Sequence, residues 1–179
     1  MKRPFSRLLQ VWLGALLFAN MAATAARADV YDDVSKLIRA KSFDAALAKA
    51  DSHLADKPAD PQMRFFRGMI QRSQGKLEAA LETFVQLTED YPELPEPHNN
   101  LAAIYAAKGQ YPQAQKALEM AIKTKPDYAT AYENLADVHV RLSEQAYQQA
   151  LKLEPGNTAA SRKLKLSQEL IKPPAGSAQ

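Results

Sequence analysis

Pro58, Pro92 and Pro126 stand 34 residues apart. Ala46, Ala80 and Ala114 keep the same interval, as do the bulky residues Phe43, Leu77 and Tyr111, each three positions ahead of its alanine. Gly75 and Gly109 form a further column, with Lys41 in the equivalent slot. Agreement of four columns at one period marks a chain built from repeated units, each too small to bury its apolar face alone. Within a unit, apolar residues such as Phe65, Phe66, Met69 and Ile70 run up to the glycine, which supplies the positive φ of a tight turn. The following segment places Leu77, Ala80, Leu81, Phe84 and Val85 at helical spacing. Proline then closes the unit, because it cannot continue a helix. Asp60-Pro61 reads as an N-cap followed by proline at the first helical position. Each unit is therefore expected to be two antiparallel helices.

On these residues the chain resembles the tetratricopeptide repeat family, and the leader described below narrows that resemblance to its secreted bacterial members. Unit 95–128 carries Leu101-Ala102, Tyr105, Gly109, Tyr111, Ala114, Ala121 and Pro126 at the family's positions. Unit 61–94 carries Gly68, Gly75, Ala80, Phe84 and Pro92, with Gln71 at an aromatic slot, and unit 27–60 is degenerate. The resemblance implies an all-α solenoid of helix pairs. Unit 129–157 departs from the pattern. Residues 129–142 fit its first fourteen positions, 143–157 its last fifteen, and the glycine turn between them is missing. Core-type residues at 132, 135, 136, 139, 142, 146, 147, 150, 151 and 153 then form one stripe, which predicts a single helix of about 25 residues. Pro155-Gly156-Asn157 ends it, and 158–171 reads as a capping helix. That cap is expected to fold Leu164 and Ile171 onto Ala150 and Leu151 and to leave Arg162, Lys163 and Lys165 in water. Residues 172–179 read as a disordered tail.

The first 28 residues have the layout of a cleavable signal peptide. Lys2, Arg3 and Arg7 precede an apolar run from Leu8 to Ala19, and Ala26-Arg27-Ala28 offers small side chains at the cleavage positions. The run is shorter than the roughly 20 residues that span a bilayer, so the expectation is cleavage after Ala28, with membrane anchoring only if uncleaved. The leader holds four cations and no acid, so its removal takes the formal charge from +3 to −1. The basic pI belongs largely to the leader, and nucleic acid drops out as a partner. These features predict a periplasmic or secreted protein spanning 29–157 plus its cap.

Zero cysteine excludes thiolate metal sites and a cysteine nucleophile. The chain contains no nucleotide-binding, serine-hydrolase or zinc-protease motif. His53, His98 and His139 fall at repeat slots that face helix packing, so they read as structural, and no metal or other cofactor is expected. Asp32-Asp33 and Glu89-Asp90 are adjacent on helices and point about 100° apart, so neither forms a catalytic pair. The reading is a non-enzymatic scaffold.

The resemblance also implies a concave groove lined by first helices, which binds a protein or peptide partner in the cell envelope. The groove residues it designates are Phe65, Met69, Arg72, Asn99, Asn100, Ala103, Glu133, Asn134, Asp137 and Arg141. Asn100 and Asn134 share a position where an amide pairs with the backbone of an extended peptide. Phe65 and Met69 offer an adaptable apolar end, Ala103, Ala106 and Ala107 leave room, and the charged residues set complementarity. The alternative is a self-associating structural envelope protein, with oligomeric state left open.

Overall fold

The structure is a computed structural model that describes residues 30–171. The expected signal peptide and the expected tail at 172–179 lie outside the described residues. The described residues are helical and turn segments without strands, and they divide at Gly75 into two compact units.

The first unit comprises α1 (30–39), α2 (Phe43–Asp56) and α3 (Pro61–Ser73). Its core joins Val34 to Ala46, Ala50 and Leu54, and to Met63 and Ile70. Lys41 links α1 to α2 with φ of 56°, the left-handed conformation that Gly75 and Gly109 adopt at the matching positions. Asp60 caps α3 as expected: its carboxylate accepts from the Met63 amide at 3.1 Å, with Pro61 in the first turn.

The second unit comprises α4 (Leu77–Asp90), α5 (Pro95–Ala107), α6 (Tyr111–Thr124), α7 (Ala129–Leu153) and α8 (Thr158–Leu170). Helix α5 packs against α4, α6 and α7, which buries eight of its thirteen residues. Gly109 turns the chain back, and α6 returns with Ala114, Leu118 and Ala121 fully buried one turn apart. These small and branched side chains let the two helices approach closely.

Helix α7 is the single 25-residue helix expected from the missing turn. Its buried face differs from the expected stripe. Ala131 and Val138 are buried with Leu135 and Leu142 partly covered, whereas Tyr132, Ala136, His139, Ala146 and Leu153 are exposed. The reason lies in the lost turn. The equivalent α5 residues His98, Ala102 and Tyr105 pack where α6 returns, and a fused helix has no returning partner of its own. For the same reason His139 is exposed rather than packed. Helix α8 packs on α7, capped by Asn157, whose side chain accepts from the Ala160 amide at 2.9 Å. Arg162, Lys163 and Lys165 are exposed as expected, and Lys163 Nζ lies 5.8 Å over the Tyr147 ring. Ile171 lies farther along α7 than expected: it shares a cavity wall with Arg141, because α8 runs antiparallel for its full length.

Candidate functional site

The second unit holds a cavity of about 760 Å³. Its floor is the small-residue face of α5, Ala102, Ala103, Ala106 and Ala107, with Tyr111 and Leu118 from α6. One wall is α7, through Glu133, Asn134, Asp137, Val138 and Arg141, and the end of α8 closes it with Leu170 and Ile171. Residues 133, 134, 137, 138 and 141 fall on one side of α7 because helical neighbours recur at three and four residues. The alanines make this concavity: longer side chains on α5 would fill it.

Of the designated groove residues in this unit, Ala103, Glu133, Asn134, Asp137 and Arg141 line the cavity together. Asn99 and Asn100 do not line it. Asn100 is buried and donates its amide to the Glu96 carbonyl at 2.9 Å, so that donor is used within its own helix. Asn99 is also buried and accepts from Asn134 Nδ2 at 2.8 Å. This bond fixes the Asn134 amide and leaves its carbonyl oxygen to accept from a ligand. Arg141 reaches Glu144 at 3.1 Å, and Glu144 is 8% exposed. That pairing fixes the one cation among the described lining residues, while Glu133 and Asp137 stand exposed in water, so this wall is net acidic among the described residues.

Phe65, Met69 and Arg72 belong to the first unit, on one face of α3, and all three are half-buried. Ala102, Tyr111, Leu118, Val138, Leu170 and Ile171 also line the cavity and were not among the expected groove residues. The Gly109 turn signals Tyr111; nothing local signals Leu170, which depends on where α8 ends.

The histidines do not converge. His53 Nε2 lies 2.9 Å from Asp60 Oδ2, which also accepts from the Tyr31 hydroxyl. Burial alone pushes Asp60 up, but the hydrogen bonds from Tyr31, His53 and Met63 outweigh it and hold the carboxyl below the ordinary value. His98 is buried, and burial pushes its imidazole down, against a hydrogen bond to Pro92 that raises it. Among the described residues no group of three or more His, Asp or Glu side chains is arranged to hold a metal ion, and no helix is long and apolar enough to cross a membrane.

Two matches to the tetratricopeptide repeat family cover residues 34–95 and 71–138, together more than half of the chain. Human tetratricopeptide repeat protein 16 is 26% identical over 141 residues, covering 69% of this chain and 16% of that protein. The chain thus spans about a sixth of that relative's length. The crystal structure of the MamA protein superposes with a TM-score of 0.58 at 22% identity, covering 78% of this chain and 80% of MamA. The structure of Naa15/Naa10 bound to HypK-THB gives 0.57 at 20% identity over 80% of this chain and 22% of that one. These likenesses show the fold, and the repeated columns, helix pairs and family matches agree: the chain is a tetratricopeptide repeat protein.

Proposed function

We propose that the protein is a non-enzymatic adaptor that binds an extended protein segment in the cavity of its second unit. The observation that carries this reading is the pairing of an alanine floor with an oriented amide and two exposed carboxylates on one wall. Ala102, Ala103, Ala106 and Ala107 accept small apolar side chains. The Asn134 carbonyl accepts a backbone N–H, and Glu133 with Asp137 attracts a basic side chain. The family fold commonly mediates protein–protein interaction, and Naa15/Naa10, of like fold, has been solved bound to HypK-THB. A segment that fills 760 Å³ forms an interface at the small, transient end of the size range.

The partner is expected in the cell envelope. Support for that is the basic start, apolar run and Ala26-Arg27-Ala28 of the leader, with cleavage giving a periplasmic or secreted chain. Selection from a displayed peptide library tests the binding reading. The wild type should enrich extended sequences with a basic residue beside small apolar ones. Glu133→Lys/Asp137→Lys should lose that enrichment and retain helicity. Identical peptide selection by both proteins would refute the assignment.

A further inference from the structure

Among the described residues, the fused helix α7 leaves a helix-pairing face open, and its own second half fits that face. In the α5–α6 hairpin, His98 and Ala121, Tyr105 and Ala114 stand at equal distances from the Gly109–Gln110 turn, with Ala102 near Leu118. All lie in the contacting helix pair, and His98, Ala102, Ala114, Leu118 and Ala121 are buried. On α7 the corresponding first-helix residues Tyr132, Ala136 and His139 are exposed, Tyr132 by 50%. The corresponding second-helix residues Ser143, Tyr147 and Ala150 continue the same helix. A straight helix cannot fold back on itself, so this half cannot cover the first half within one molecule.

We infer that a second copy of this chain docks antiparallel on α7, so that residues 143–153 of each copy cover Tyr132, Ala136 and His139 of the other. The arrangement is self-complementary, as a two-fold interface requires, with its axis near Arg141 along α7. By analogy with the α5–α6 hairpin, Tyr132 meets Ala150 of the second copy, Ala136 meets Tyr147, and His139 meets Ser143. Each pair sets a larger side chain against a smaller one, the pattern by which facing helices interdigitate. Helix α8 packs beside this face with Lys163 over the Tyr147 ring; Tyr147 and Ala150 are half-buried, and Ala136, His139, Ser143 and Ala146 are exposed. One helix face from each copy makes the contact, which places it at the small, transient end of interface sizes. The open face is distinct from the acidic cavity wall on α7, so self-association and segment binding need not exclude each other.

The absence of native cysteine makes a disulfide test clean. Two differently tagged full-length chains, Tyr132→Cys and Ala150→Cys, are mixed and oxidised. Packed helices 8–10 Å apart bring facing Cα atoms to roughly 3.4–5.4 Å, within reach of a disulfide. The mixed dimer should form at least 10-fold faster than a Lys123→Cys control, at an exposed position on α6. Tyr132→Cys alone should not crosslink, because its two copies would lie about 27 Å apart along the axis. Adding Ala136→Arg to both chains should abolish the mixed dimer with helicity unchanged, since Ala136 is exposed. Sedimentation of the cysteine-free wild type at high micromolar concentration should show dimer that Ala136→Arg removes. A mixed-dimer rate equal to the control, self-crosslinking of Tyr132→Cys as fast as the mixed pair, or a monomeric wild type in sedimentation would overturn the inference.

Discussion

Replacing Asp60 by alanine should unfasten the first unit. Asp60 is 7% exposed and serves three donors: the Met63 amide at 3.1 Å, His53 Nε2 at 2.9 Å and the Tyr31 hydroxyl. Loss of the N-cap costs about 1 kcal/mol. Stranding the His53 and Tyr31 donors adds about 1 kcal/mol each, at the low end because Tyr31 retains some access to water. The sum, about 3 kcal/mol, is a large share of the roughly 5–15 kcal/mol that holds a domain together. Repeat arrays open unit by unit, so the loss should appear locally. Amide hydrogen exchange is the assay. Protection in α1–α3 should fall by roughly 100-fold, because 1.4 kcal/mol is a factor of ten. Asp60→Asn keeps one acceptor oxygen and should cost about a third as much. The pH sign follows from the lowered carboxyl. Its stabilisation is complete above the unfolded value near 3.8 and is lost as pH falls through the lower folded value. Less than a fivefold change in α1–α3 protection in Asp60→Ala would refute the reasoning.

The glycine turns give a paired prediction. Gly109 has φ of +71° with nothing within 4 Å of an added Cβ, so Gly109→Ala should cost only the left-handed strain, about 1 kcal/mol. Lys41→Gly should recover a similar amount at φ of 56°, and urea denaturation of both variants measures it. Ala114→Glu places a charge at a fully buried site between α5 and α6 and should cost at least 3 kcal/mol, read as lost helicity. His98 has a lowered imidazole, so the unfolded chain binds its proton first. Its contribution is therefore whole above the ordinary value of 6.5 and is lost as pH falls toward the folded value. His98→Gln should flatten the melting curve's pH dependence between 5 and 7.

The period alone located the helix pairs, because proline, glycine and small alanine act locally and recur at one spacing. It also located the 25-residue α7, since a missing turn leaves nothing to break a helix. The face that α7 buries was not legible. Tyr132, Ala136 and His139 have the residue types of a packed face, and only the position of neighbouring helices shows that no described residue covers them. The cavity was half legible: positions on α7 that recur at three and four residues follow from helix geometry, whereas Leu170 and Ile171 arrive through tertiary folding. Asn99 and Asn100 show the limit of family position as a guide. Both amides are occupied internally, one by Asn134 and the other by Glu96.

The most direct test of the adaptor reading is a crosslinking capture with the wild type beside Asn134→Ala/Asp137→Lys, read by mass spectrometry from an envelope extract. Both substitutions change partly or fully exposed side chains on the cavity wall and should leave helicity unchanged. The account predicts a protein crosslinked through the cavity residues of the wild type and at least 10-fold depleted with the double variant. A partner retained equally by the folded double variant, or recovery of no protein other than the chain itself, would contradict it.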